Sequence, residues 1–305
     1  MGRETDGAAD HVAVIGSGGI GGYVAASLAE AGRKVTLCVR TPFDRLTVEE
    51  GGTVREVPLP ITADPAGIAP ARWILLTTKS QDTASAFPWI EALARPGSTL
   101  VVIQNGVGHV ERAAPIAGPA AVQPAIIWCS VERRAPGEIV HHGAKRIAVP
   151  AGEDAAALAG LFAGTGFAIE PTEDFVTVAW RKLLSNLVAN ALTALTLRRT
   201  SLFREPQARD LARQILEEAV AVAQAEGAKL TADDLERALA ALGTHGADAG
   251  TSMLYDRLSG RPLEHRYVTG ALLEAADRHG IAVPVNRTLY ALLETVSGQK
   301  LSEVR

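Results

Sequence analysis

The sequence predicts an α/β domain built on a parallel sheet, followed by a domain made of helices alone. Three observations carry this. The apolar stretch Val12–Ile15 runs into a glycine turn and then into the helical pattern Tyr23–Ala31. Short buried runs of strand character recur through the first half, at Lys34–Val39, Trp73–Thr78 and Ser98–Ile103. From about Glu173 onward the apolar period is helical almost throughout. The expected domains are therefore 11–172 and 173–305, with the polar residues 1–10 a flexible N-terminus.

Bulk composition narrows the function. The 305 residues are 47% hydrophobic and 21% charged, with a formal net charge of −4. That length supplies two cores, and the mild acidity argues against a general electrostatic role on nucleic acid. Cys38 and Cys129 sit in apolar strand-like runs and read as small buried hydrophobes; no disulfide framework, zinc cluster or other metal site is expected. The N-terminus lacks the apolar core of a signal peptide, and no run of roughly 18 apolar residues follows. A cytoplasmic protein with no membrane contact is expected.

The first element is the apolar run of Val12, Val14 and Ile15, read as a strand. It leads into Gly16, Gly18 and Gly21, in G-x-G-x-x-G spacing, and then a helix. Strand, glycine turn and helix in that order form the dinucleotide-binding fingerprint of a Rossmann-type domain. Gly16 permits the tight turn, Gly18 lets the backbone close on a pyrophosphate, and Gly21 lets the helix lie near the strand. The helix N-terminus then faces the anion. Near the end of the second strand, where an acid would bind a ribose 2′-hydroxyl, stands Arg40, with Arg45 nearby. A cation there suits a 2′-phosphate, so the expected cofactor is NADPH.

Thr41–Pro70 reads as irregular, with strand-like pieces at Thr53–Val57 and Leu59–Thr62. Two buried strands end in Lys79 and in Asn105. Alone, either residue reads as a loop cap, but ligands gather beyond the carboxyl ends of such strands, and these two share that position. Ala121–Val131 and Glu138–Val149 read as two strands joined through the turn Arg134–Gly137. His141 and His142 in the second of these face opposite sides and cannot form one ligand pair. A short helix at Ala155–Phe162 and a strand at Phe167–Glu170 close the domain.

Asp174–Leu197 is expected to be one long helix with a broad apolar face. Lys182, Asn186 and Asn190 lie four apart, and each such step advances about 40° around the axis, giving one slanting polar stripe. Asparagine is a poor helix former, and two in an apolar helix point to a site rather than to a solvated face. Helices are also expected at Ala208–Glu226 and Thr231–Leu242, the second capped by Thr231. Gly243–Gly250 is irregular. Glu264 follows Ser252 by twelve residues and begins a helix, and Pro284, close to Asn286, opens the last one.

Taken together, GSGGIG (16–21), Arg40, TKSQ (78–81), QNG (104–106), WRKLLSNLVAN (180–190), SMLYD (252–256), GRPLEH (260–265) and PVN (284–286) resemble the ketopantoate reductase family. The matches span nearly the whole chain. The resemblance implies an NADPH-binding Rossmann domain and a helical domain like the C-terminal domain of 6-phosphogluconate dehydrogenase, with the active site between them. By position, Gly16, Ser17, Gly18, Gly19, Ile20 and Gly21 would hold the pyrophosphate and Arg40 the 2′-phosphate. Lys79 and Asn105 would border the nicotinamide ribose and the substrate. Lys182 resembles the family's proton donor, Asn186, Asn190 and Ser252 its substrate binders, and Glu264 the acid that orders lysine and cofactor.

The implied reaction is NADPH-dependent reduction of a 2-keto acid, foremost 2-dehydropantoate to pantoate. Hydride arriving at a ketone carbon leaves an alkoxide that must be stabilised and protonated, and a lysine ammonium can do both. Two departures bear on the acid. Glu264-His265-Arg266 replaces the family's usual Glu-Ile-Asp, reversing charge near the expected pocket, and Arg198 and Arg199 stand where smaller or less charged residues are usual. Three alternatives are a related reductase on another keto acid, an opine- or imine-type reductase forming a C–N bond, and an NADPH-binding sensor without turnover. The helical domain offers a surface for a homodimer, which nothing in the sequence requires.

Overall fold

A computed structural model describes residues 11–244 and 250–300. The expected flexible stretch 1–10 lies outside them, as does 245–249 within the expected irregular segment. The chain divides into two compact units, Met1–Gln104 with Gly108–Phe175, and Asn105–Val107 with Val176–Arg305.

The first unit contains, in order, β1 (His11–Ile15), α1 (Gly19–Glu30), β2 (Lys34–Cys38), β3 (Leu46–Glu50), β4 (Thr53–Val57), β5 (Ile61–Thr62) and β6 (Trp73–Leu76). There follow α2 (Phe87–Leu93), β7 (Thr99–Val102), α3 (His109–Ala113), β8 (Ala121–Pro124), β9 (Ile126–Ala135), β10 (Glu138–Pro150), α4 (Glu153–Phe162) and β11 (Ala168–Thr172). Six strands form a parallel sheet in the order β5-β2-β1-β6-β7-β8. β1, β6 and β7 are buried along their whole length, as a parallel sheet covered on both faces requires. The direction of winding reverses between β1 and β6, where crevices open at carboxyl strand ends.

A second sheet, β11-β10-β3-β4 with β9 paired to β10, goes beyond what the sequence predicts. It closes over α1: Tyr23, Val24 and Leu28 share one buried cluster with Leu46, Val48, Ile139 and Ile147. Three expectations are refined by it. Ala121–Val131 is not one strand, because Pro124, which has no N–H, ends β8 at the sheet edge; β9 then pairs antiparallel with β10. Thr41–Pro70 holds the strand-like pieces expected there, as β4 and the shorter β5, and adds the unexpected β3, which makes a hairpin with β4 around Gly51 and Gly52, both at positive φ (58° and 80°). Such a pair is the hairpin-turn signal. The turn expected over Arg134–Gly137 is shorter too, since β9 runs through Ala135.

One ion cluster ties this second sheet to α1. The Glu50 carboxylate accepts from Tyr23 Oη (3.0 Å), Lys145 Nζ (2.8 Å), Arg55 (3.1 Å) and His141 Nδ1 (2.9 Å). The His141 ring stacks on Tyr23 at 4.3 Å, whereas His142 is exposed beside Glu132. Cys38 is buried, which pushes its thiol up to about 12, while Cys129 is only half-buried; neither is in a disulfide.

The second unit is helical: α5 (Phe175–Thr196), α6 (Pro206–Ala225), α7 (Ala232–Thr244), α8 (Ser252–Leu258), α9 (His265–His279) and α10 (Pro284–Val296). Its core joins Leu183, Leu184 and Leu187 of α5 to Ile215, Leu216 and Ala219 of α6 and Leu272 of α9. The Thr231 cap takes a different form from the one expected. Its hydroxyl donates to Asp234 (3.1 Å), and that carboxylate reaches back to the Thr231 N–H (2.9 Å), as in one half of a capping box. Asn286 is structural. Glu218 of α6 accepts from its N–H (3.0 Å) and its Nδ2 (2.8 Å), holding the start of α10. Among the described residues no helix is long and apolar enough to cross a membrane.

Candidate functional site

In the first unit, the glycine turn packs so tightly that side chains are excluded. A Cβ on Gly21 would lie 1.9 Å from Gly16 O and 2.3 Å from Thr77 Oγ1. Gly16 has φ +108° and stands 3.0 Å, measured from an added Cβ, from the Thr78 nitrogen. Thr77, just past β6, clamps the turn by donating to Ile15 O (2.9 Å) and Gly16 O (3.0 Å). Gly18 differs: an added Cβ there would meet nothing within 4 Å. It is also the N-cap of α1, with no side-chain cap and no acid in the first turn. The N–H groups and positive dipole end are thus left without a side-chain acceptor. This cradle fits the pyrophosphate of a dinucleotide.

Arg40 follows β2, its side chain 84% exposed and 4.0 Å from Asp82 Oδ1. Lys79 precedes a short 3₁₀ stretch, Ser80–Ala86, beyond β6. Both therefore stand at the same sheet end as the glycine turn. The sequence does not single out Gln104, yet its buried Nε2 donates to Thr83 Oγ1 (2.9 Å) and Thr78 O (3.1 Å), binding the ends of β6 and β7 together. Thr77 escapes notice likewise. The QNG motif contains Gln104 and the run Trp73–Thr78 contains Thr77, but nothing in a local window tells which strand-end polar group reaches across to a neighbour.

In the second unit, α5 carries Lys182, Asn186 and Asn190 as one stripe. Lys182 and Asn186 are half-buried, and Asn190 is only 5% exposed. Ser252 is the first residue of α8. Among the described residues, the side-chain amides of Asn186 and Asn190 and the hydroxyl of Ser252 take part in no hydrogen bond. Of these three residues Ser252 is exposed, Asn186 is half-buried and Asn190 is buried, and a buried amide without a partner is costly unless something else supplies one. A bound molecule with donors and acceptors of its own does so.

Asn105, counted with this unit, donates from Nδ2 to Glu264 Oε2 at 3.2 Å. Glu264 is 7% exposed and is the N-cap of α9, where the dipole favours its charge. The cation of the expected charge reversal is itself paired. Arg266 is exposed and pairs with Glu294, which also accepts from His265 Nε2 (2.6 Å). Arg198 is turned outward too, onto Glu205 at 2.6 Å. Each cation is neutralised at the surface, because a guanidinium reaches a carboxylate in water more cheaply than it enters a buried place. Among the described residues no group of three His, Cys, Asp or Glu side chains is placed to hold a metal ion.

Residues 12–154 match the family model described as Ketopantoate reductase PanE/ApbA, and residues 174–297 match Ketopantoate reductase PanE/ApbA C terminal. The 2-dehydropantoate 2-reductase of Caulobacter vibrioides is 39% identical over 293 residues, covering 94% of this chain and 99% of the relative. That of Mycobacterium tuberculosis is 36% identical over 288 residues, covering 94% and 97%. Among solved structures, 2-dehydropantoate 2-reductase from Geobacter metallireducens has a TM-score of 0.88 at 27% identity, over 94% of this chain and 100% of that one.

Proposed function

Because the chain belongs to the ketopantoate reductase family, a family of nicotinamide-dependent oxidoreductases, we propose that it reduces 2-dehydropantoate to pantoate with NADPH. The observation that carries this reading is the α5 stripe, a lysine in line with two amides that have no partner of their own. NADPH, when bound, supplies the hydride. The backbone of Gly16–Gly21 and the α1 N-terminus would hold its pyrophosphate, and Arg40 its 2′-phosphate. An exposed cation at that place, with no acid on the β2 end to accept from a ribose 2′-hydroxyl, favours NADPH over NADH.

The chain's own groups then divide the work. Asn186, Asn190 and Ser252 bind the acid's carboxylate and hydroxyl by donating and accepting hydrogen bonds, without neutralising the lysine. Lys182 Nζ donates a proton to the ketone oxygen as charge develops on it, and ends neutral. Glu264, held by Asn105, orders the lysine and the cofactor. Arg266 and Arg198, paired at the surface, give no reason to look for a larger or more acidic substrate.

The test is NADPH oxidation with 2-dehydropantoate, a panel of other 2-oxo acids, NADH in place of NADPH, and added amines. The expected result is amine-independent oxidation that is fastest with 2-dehydropantoate and NADPH. Dependence on an amine would point instead to C–N bond formation, and tight nucleotide binding with no turnover on any acid would point to a sensor.

A further inference from the structure

Two threonines fix where Ser252 stands. Thr193 lies on α5, three residues past Asn190 of the stripe, and is fully buried. Its hydroxyl donates to Ala189 O at 2.7 Å. Thr251 Oγ1 lies 2.7 Å from Thr193 Oγ1 and accepts from the Leu254 N–H at 3.1 Å. A hydroxyl has one proton, and Thr193 directs its own at Ala189, so the Thr251 proton points to Thr193. The bonds therefore run in one direction, from Leu254 N–H through Thr251 and Thr193 to Ala189 O.

This relay is both the N-cap of α8 and a lateral tie from α8 to α5. Apolar contact also joins the two helices, with Ala191 and Ala194 in one cluster with Met253. That contact has no direction, whereas hydrogen bonds fix distance and rotation. α8 is only seven residues long, and Ser252 has no side-chain partner that would hold it otherwise.

We propose that Thr193 and Thr251 are positioning residues for the substrate, holding the Ser252 hydroxyl in register with the amides of Asn186 and Asn190. The proposal rests on reading those three residues as the acid-binding set. It requires that loss of the tie weaken the keto acid's binding and leave the nucleotide's unchanged.

The experiment compares wild type with T193V, T193S, T251V, T251S and the double variant T193V/T251V. It reads KM for 2-dehydropantoate, kcat, NADPH affinity by titration, and amide exchange at Leu254. The expected result is a KM for the acid raised about tenfold in T193V and T251V, with NADPH affinity within about twofold of wild type. Both serine variants stay near wild type, and the double variant is no worse than either single one, because the relay is broken once. Should T193V not fold, T251V, on the half-exposed side of the tie, reads the same split. An unchanged KM in T193V and T251V, with faster exchange at Leu254, overturns the inference and leaves the tie structural. A wild type that turns over other acids but not 2-dehydropantoate overturns the proposed function instead.

Discussion

Asn105 Nδ2 donates to Glu264 Oε2 at 3.2 Å, joining the loop residue Asn105 to the N-cap of α9. A carboxylate that is 7% exposed needs such donors. Asn105→Ala is expected to destabilise the protein by about 1–3 kcal/mol in denaturant titration and to lower kcat/KM at least about tenfold. Wild-type stability and turnover in that variant would show that the bond has no role.

Lys182→Ala is expected to lower kcat by about 10²–10⁴ while NADPH affinity stays within about twofold. Lys182→Arg should not restore turnover, because a guanidinium does not give up its proton at working pH. Stopped-flow turnover and nucleotide titration separate the two effects, and a near-wild-type kcat in the alanine variant would remove the lysine from the mechanism.

Gly18 and Gly21 should respond to alanine in opposite ways. At Gly21 the new methyl meets Gly16 O at 1.9 Å, so stability falls by about 3 kcal/mol or more. At Gly18 the backbone is ordinary (φ −68°) and the space is open, so thermal stability should hold while NADPH binding weakens. Unaltered nucleotide affinity in Gly18→Ala would mean that the pyrophosphate does not sit there.

Glu50 makes a pH prediction. Partial burial pushes its carboxyl up, but hydrogen bonds from Lys145 and Tyr23 and the charges of Lys145 and His141 outweigh that and hold it at about 2. A folded-state value below the unfolded one stabilises the fold above the ordinary carboxylate range, and the gain is lost as pH falls toward the folded value. Glu50→Gln should therefore lower Tm at neutral pH, and its deficit should shrink between about pH 4.5 and pH 2. A deficit that is the same at both ends would rule out the ion cluster as its source.

Leu197 ends α5 at φ +56° and is 42% exposed. A leucine in the left-handed region is strained, and here it buries too little to offset that. Leu197→Gly should raise stability by about 1 kcal/mol, read as a higher denaturant midpoint at constant slope.

The sequence by itself determined the glycine turn and the polar stripe, because both are written in short windows. Gly16, Gly18 and Gly21 lie within six residues, and Lys182, Asn186 and Asn190 repeat at the helical period, so local geometry alone puts each set together. The same holds for α5 and the helical half, whose 3.6-residue period is strong. Tertiary structure decided the rest. β3 pairs with β10, some ninety residues on, and β9 leaves the parallel sheet for that partner, although its apolar run reads as a continuation of β8. The partners of Asn105, Gln104, Thr193 and Arg266 are likewise set by which chain ends the packing brings together. A polar side chain shows in sequence only that it needs a partner; which one it finds depends on contacts between residues far apart in the chain.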